Sequence, residues 1–339
     1  MPNHQLPPLL LPLLKRLSDG KFHSGQSLAI DYAISRATVF NLIQQAETLG
    51  LRIHAIRGRG YQLADPISWL DIDALRSALA DSGHPYVLGT VTETASTNTL
   101  LFQQALSGAP HRSVLYADYQ HAGRGRRGRG WHAPLGGGLA FSVLWRFEQG
   151  VSQLSGLSVV IGIALARALA QFCPKTSRLP IKLKWPNDVL AGYRKLAGIL
   201  VEVQGEMTGP SFAVIGIGVN QHLPARFRED IDQAVVDLAE MGVAASRAQL
   251  MAAILAELAV AMQQFEQHGM QSVIRQWPEW HAHEGREVAL RTPDGNNHIG
   301  LASGLDEAGN LLLKLPGGQY RKFGAGEVSL RPVKVGTVK

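Results

Sequence analysis

Residues 119–131 read YQHAGRGRRGRGW, with four arginines and four glycines between Gly123 and Gly130, ahead of Trp131. Glycine leaves backbone N–H groups free to approach phosphate oxygens, and arginine offers a planar, permanently charged fork to the same oxygens. By residue type the run is a phosphate cradle, a solvated basic loop or an RNA-binding stretch. Its brevity and lack of interleaved aromatics count against the last of these. A second set lies in IKLKWPNDVLAGYRKLAGILVE, from Ile181. Lys182 and Lys184 alternate with apolar residues, Pro186 and Asn187 mark a strand end, and Arg194 and Lys195 precede a strand expected to begin at Gly198. Those lysines either converge on a phosphate or guard the edge of a solvated hairpin. In IGIGVN, Gly216 and Gly218 share one side of a strand, leaving room for something flat and apolar, although such a pair also marks a bulge or close sheet packing.

These segments need a scaffold, and the pattern supplies a mixed α+β domain with one dominant sheet, from about Ile67 to His283. Strands are expected at Val114–Ala117, Leu139–Trp145, Ile181–Lys184, Gly198–Val203 and Ala213–Val219. A helix is expected over Gln153–Phe172, and SRAQ at Ser246 is a capping box opening a long helix toward His268. From about Glu284, short alternating runs are split by the turn signals TPDGNN, DEAGN and PGGQ, which reads as a small β-barrel.

Before Pro66 lie three short helical patterns. In the third, Ser35 is the N-cap, Val39, Leu42, Ile43, Ala46 and Leu49 share one face, and Gly50 is the stop. Arg36, Asn41, Gln44, Gln45 and Thr48 then point outward, a hydrogen-bonding face read as free of acids that suits a major groove. A shorter helix from about Gly25 precedes it, and LRIHAIRGRGYQL follows as a two-stranded ribbon with a Gly-Arg-Gly tip. The layout is a winged helix-turn-helix, or else a small helical interaction module.

With 339 residues, 45% apolar and 18% charged, the chain has enough apolar content for two or three domains and is not a disordered protein. Its net charge of +6 is too small by itself to establish a nucleic-acid partner. The single cysteine, Cys173, excludes an internal disulfide framework and fits a reducing compartment. The apolar run Leu6–Leu17 contains Lys15, Arg16 and prolines and is followed by no small-residue cleavage site, so a cytoplasmic, soluble protein with no membrane partner is expected.

The sequence resembles the biotin–protein ligases, and closely the bacterial bifunctional form that is also the biotin operon repressor. The carriers are STN at Ser96–Asn98, YQHAGRGRRGRGW, KWPND from Lys184, RKLAGILVE from Arg194, IGIGVN from Ile215 and GEVSLR from Gly326, in the family's order and over nearly the whole chain. The resemblance implies a winged helix-turn-helix over residues 1–65, a catalytic domain over 66–283 with the mixed sheet of a class II tRNA synthetase-like biotin/lipoate ligase, and an SH3-like barrel over 284–339. It implies formation of biotinyl-5'-AMP from biotin and ATP with Mg²⁺, then transfer to a lysine of the biotin carboxyl carrier protein of acetyl-CoA carboxylase. The adenylate would also act as corepressor, favouring a homodimer on the operator DNA of biotin genes.

By matched position, Ser96, Thr97, Asn98 and Gln120 would hold biotin, while Gly198, Gly216 and Gly218 would line its bicyclic ring. Gly123, Arg124, Gly125 and Arg126 would close over the ligand as a lid that orders on binding, and Lys195 would contact the carboxylate and α-phosphate. With Lys195 as the main electrostatic catalyst, Arg124 and Arg126 complete the catalytic set. Lys184, Asn187, Asp188, Asn220 and Arg331 are nucleotide-side candidates, and no protein ligand for a metal can be named. The DNA-binding segment would run from Gly25 to Gln44, including Ser35, Arg36, Asn41 and Gln44, with Arg57 and Arg59 on the wing. One departure is the stretch DIDQAVVDLAEMG, which has no tryptophan where bifunctional enzymes can pack one near adenine.

Overall fold

The computed structural model describes residues 5–131, 133–229, 231, 233–292, 295–325 and 329–332. The chain opens with α1 (Leu10–Leu17), α2 (Gly25–Asp31) and α3 (Arg36–Thr48), followed by the hairpin β1 (Ile53–Ile56) and β2 (Gly60–Leu63). The Ser24 and Ser35 hydroxyls accept from Ser27 N and Thr38 N, each satisfying an otherwise orphaned donor of its helix. Val39, Leu42, Ile43 and Ala46 are buried against the leucines of α1, as the helical periodicity requires. At the hairpin, a Cβ on Gly60 would lie 2.0 Å from the His23 carbonyl oxygen and φ is +102°, so only glycine fits. The outward face of α3 is not free of acids: Glu47 is exposed and accepts from Gln44 Nε2 at 2.9 Å.

This small core does not stop at the hairpin, because Ile67 and Leu135 belong to it and seat the helical unit on the next domain. Polar contacts pin the seam. Lys15 Nζ lies 2.6 Å from Asp118 Oδ2, and Leu6 N donates to Glu93 Oε1 at 3.0 Å.

The central domain contains α4 (Ile72–Ala80), β3 (Val87–Thr94), α5 (Thr97–Leu106), β4 (Ser113–Gln120), β5 (Gly138–Phe147) and α6 (Leu157–Ala170). It continues with β6 (Ile181–Lys184), β7 (Asp188–Ala191), β8 (Arg194–Gly205), β9 (Ser211–Asn220), α7 (Ala225–Glu229) and α8 (Arg247–His268). The sheet runs β3-β4-β5-β9-β8-β7-β6; β3 and β4 are parallel and joined through α5, and the other neighbours are antiparallel. Helices α6 and α8 belong to the main core on one face, while Leu101 and Ala105 of α5 pack with Leu115, Leu144, Phe212 and Val214 on the other. The capping box at Ser246 and Gln249 is present in full. Helix α8 is long and apolar enough to cross a membrane, with 61% of its apolar window buried in the fold.

In the central domain the structure corrects the sequence reading in three further places. Strands β3 and β7 were not expected: VLGTVTET carries a glycine and several polar residues at a sheet edge, and DVLA is four residues long. The helix expected from Gln153 begins at Leu157, because Gly156 has φ +78° and a Cβ there would lie 2.4 Å from Met270 Sδ. Arg194 and Lys195 lie inside β8, paired with Ala191 and Leu190, rather than ahead of it.

The C-terminal domain is an antiparallel sheet in the order β13-β12-β11-β10-β14, built from β10 (Glu287–Arg291), β11 (Asn297–Leu305), β12 (Leu311–Lys314), β13 (Tyr320–Phe323) and β14 (Ser329–Pro332). Val288, Leu290, Ala302, Leu311, Leu313 and Phe323 face inward and join the central core. Gly326, at the head of GEVSLR, lies outside the described residues.

Candidate functional site

Strands β5, β9 and β8 lie side by side in continuous register, so their residues form rows across the sheet. On the face toward α5 one row is Ala140–Gly218–Gly198 and the next is Ser142–Gly216–Leu200. Apart from Leu200 these side chains are small, and they leave a trough between sheet and helix. The start of α5 stands over it, with Ser96, Thr97 and Asn98 each about 3% exposed although polar. Their hydrogen bonds form a chain: Gln120 Oε1 accepts from Thr97 N at 2.7 Å, Thr97 Oγ1 and Ser142 Oγ are 2.7 Å apart, and Ser142 Oγ donates to Asn98 Oδ1 at 2.7 Å. Asn98 Nδ2 continues it to Glu202 Oε2 at 2.9 Å. A Cβ on Gly216 would lie 2.4 Å from Asn98 Oδ1, which explains the glycine.

Gly218 and Gly198 do leave room for something flat and apolar, and the occupant is the chain's own Trp131. Cβ atoms at these glycines would lie 2.4 and 3.1 Å from its ring, and its Nε1 is buried without a hydrogen-bond partner among the described residues. Beside it Lys195 Nζ sits 5.5 Å from the ring centroid and 2.8 Å from Asp188 Oδ1, with both side chains 15% exposed. The lysine's backbone is fixed on two sides: Lys195 N donates to Ala234 O at 2.9 Å, and Asn220 Nδ2 donates to both Lys195 O and Val236 O at 3.1 Å. Asn220, expected on the nucleotide side, thus turns its amide into the scaffold that holds Lys195.

The arginine–glycine run is folded over this trough. Arg124 and Gly130 form a bridge, Arg126–Gly128 make one 3₁₀ turn with Arg127 at φ +58°, and a Cβ on Gly123 would lie 2.6 Å from the Trp131 carbonyl oxygen. Arg124 donates to Thr99 Oγ1 at 3.1 Å and to the Glu202 carboxylate. Arg126 donates to Asn187 Oδ1 at 3.1 Å and to the Ala325 carbonyl oxygen of the C-terminal domain. Burial, then the charge of Arg127, lowers the Arg126 pKa, with Asp188 acting in the opposite sense. The trough beneath holds about 90 Å³, whereas a cleft of about 1190 Å³ lies between the run and the N-terminal unit, lined by Leu10, Gln45, Tyr119 and Glu202 among others. Ninety cubic ångströms is below the range of pockets that hold drug-sized ligands.

The structure therefore brings Ser96, Thr97, Asn98, Gln120, Gly123, Arg124, Gly125, Arg126, Asn187, Asp188, Lys195, Gly198, Gly216 and Gly218 around one trough. Lys184 pairs with Asp188 across β6 and β7 and is not among its lining residues. Arg331 pairs with Ala289 through its backbone, and its side chain lies outside what is described. Sequence reasoning left Ser142, Glu202 and Trp131 without roles. Glu202 lies four residues after Gly198 on one strand, so a period-two reading places it on the same face.

At the other end of the molecule, Arg36, Asn41 and Gln44 are exposed on α3 and Arg57 at the wing tip, while the Arg59 guanidinium stacks 4.2 Å over Phe22. Ser35 is engaged as the cap of α3.

Comparison with known proteins agrees with this arrangement. The chain matches the Biotin/lipoate A/B protein ligase family over residues 88–220, the Biotin protein ligase C terminal domain over 283–331 and an HTH domain over 10–62. It is 38% identical over 322 residues to the Bifunctional ligase/repressor BirA of Salmonella typhimurium, covering 95% of this chain and 97% of that protein. The Escherichia coli protein of the same name is 36% identical over 95% of this chain and 97% of its own length. Among solved structures, the biotin protein ligase from Aquifex aeolicus in complex with biotin and ATP superposes with a TM-score of 0.59 at 28% identity, covering 73% of this chain and 99% of that one. The fold is that of the biotin and lipoate protein ligases. Within that class, the chain belongs to the family of bifunctional ligase/repressors.

Proposed function

We propose that the chain activates biotin as biotinyl-5'-AMP, transfers it to one lysine of the biotin carboxyl carrier protein of acetyl-CoA carboxylase, and represses biotin biosynthesis genes with the adenylate as corepressor. Residues 1–65 carry the DNA function, 66–283 the chemistry, and 284–339 a β-domain that closes on the lid. The observation that carries this reading is the trough itself: a glycine floor on β8 and β9, a hydrogen-bonding rim at Ser96–Asn98 and Gln120, and Lys195 at its mouth.

The glycine floor accepts the flat ring system, and the polar rim meets the ureido head, where each unpaired group would cost the bound state. A biotin carboxylate oxygen attacks the α-phosphorus of ATP, and the bond to pyrophosphate breaks. Negative charge gathers on the α-phosphate, and the Lys195 ammonium, held at 2.8 Å by Asp188, is fixed in place before it arrives. The acceptor ε-amine then attacks the acyl carbon, the bond to AMP breaks, and a proton leaves the new amide nitrogen. Arg124 and Arg126 hold the lid down through Glu202, Asn187 and Ala325, keeping water from the mixed anhydride. Mg²⁺ bound with ATP would neutralise phosphate charge, and Asp188, the carboxylate among the described residues lining the trough, would be the side chain to hold it.

Adenylate binding favours a homodimer in which two copies of α3 and the wing meet operator half-sites. Arg36, Asn41, Gln44, Arg57 and Arg59 make the contacts, and the charge of Glu47 beside Gln44 restricts which groups α3 accepts. The test is incubation with biotin, MgATP and an apo biotin-carboxyl-carrier domain, with lipoate in parallel. A biotin mass increment on one carrier lysine supports the reading; labelling by lipoate instead refutes it.

A further inference from the structure

On α3, at 100° per residue, the stripe opposite the buried Val39, Leu42, Ile43 and Ala46 consists of Ala37, Asn41, Gln44 and Thr48, with Phe40 along one edge and Gln45 along the other. Phe40 flanks this stripe on the side of Arg36 and Glu47, 52% exposed, and its ring is not part of the apolar cluster that holds the helical unit together. The positions beside it carry the small Ala37, the amide of Gln44, the guanidinium of Arg36 one turn back and, two turns on, the carboxylate of Glu47 that Gln44 engages. Such a half-exposed phenyl ring beside a hydrogen-bonding surface lies outside the apolar cluster of its own domain, and it has no donor or acceptor to offer a partner. The major groove presents one apolar group, the C5-methyl of thymine.

We infer that Phe40 is a base-reading residue whose ring packs on a thymine methyl, while Asn41, one position on, and Gln44, one turn on, meet neighbouring base edges. The inference rests on the DNA-binding reading above and adds to it a specific base. Adenine, guanine and cytosine place no methyl at that site, so Phe40 selects thymine by apolar contact alone.

The test uses the full chain with biotin and MgATP in a selection from a random-sequence duplex library. The selected duplex is then remade with uracil for each thymine in turn, which deletes only the methyl group. One thymine position is expected at which uracil weakens binding by about fourfold. Phe40→Ala, melting at the wild-type temperature, should bind the thymine and uracil duplexes equally, and Phe40→Leu should keep part of the preference. Indifference of the wild-type chain to every uracil, or a penalty that persists in Phe40→Ala, overturns the assignment and leaves DNA binding intact. Failure to enrich any sequence overturns the DNA reading together with it.

Discussion

Trp131 and Gly218 are in direct contact, the indole lying where a Cβ on Gly218 would come within 2.4 Å of it. The ring buries an N–H with no partner among the described residues over the glycine floor, beside Lys195. With about 90 Å³ left in the trough, biotin seated on the glycine floor as proposed would displace the indole. A change in tryptophan emission on adding biotin is therefore expected, and most of it should vanish in Trp131→Phe. An unaltered response in that variant would contradict the displacement.

Gly216 makes a different kind of room. A Cβ there would lie 2.4 Å from Asn98 Oδ1 and push the amide off Ser142, breaking the chain that runs from Gln120 to Glu202. Gly216→Ala should weaken biotin binding roughly a hundredfold, about 2–3 kcal/mol, by calorimetry. Wild-type affinity would show that the polar rim does not depend on this spacing.

Arg126 links the lid to Asn187 and to the C-terminal domain at Ala325. Arg126→Gly removes both links from an arginine that supports no core, so the variant should fold normally and release adenylate prematurely. Free biotinyl-5'-AMP measured by chromatography should rise, with promiscuous labelling of bystander lysines. Retention equal to wild type would sink the role of the lid.

His283 is 3% exposed at the junction with the C-terminal domain, near Tyr193 and His281. Burial, then the neighbouring charges of His281, Lys184 and Arg286, pushes its pKa down to about 4. The unfolded chain, titrating near 6.5, takes up the proton first, so this contribution to stability is present above that pH and is lost as pH falls toward 4. His283→Phe should lose less melting temperature than wild type between pH 7 and 4.5; equal losses would exclude His283 as the source.

Much of this was legible in the sequence because the signals are local. The capping box at Ser246 and Gln249, the cap at Ser35 and the buried stripe of α3 each depend on residues a turn apart. The trough was legible as motifs but not as a space. Sequence order cannot show that Trp131 folds back onto Gly218, because that contact spans the sheet between β4 and β9. Ser142 sits in LAFSVLW, a run whose apolar character conceals a single inward hydroxyl. Asn220 was assigned by motif to the ligand, whereas its geometry commits it to the Lys195 backbone. Glu47 was missed because a turn-by-turn reading of one face overlooks a flanking residue that reaches it.

The most direct measurement is biotin-dependent release of pyrophosphate from ATP by the wild-type chain and by Lys195→Ala. The account predicts release by the wild type and a fall of about a hundred- to a thousandfold in the variant, with biotin still bound, since the lysine acts on the charge that develops at phosphate. Pyrophosphate release by Lys195→Ala at the wild-type rate would contradict it.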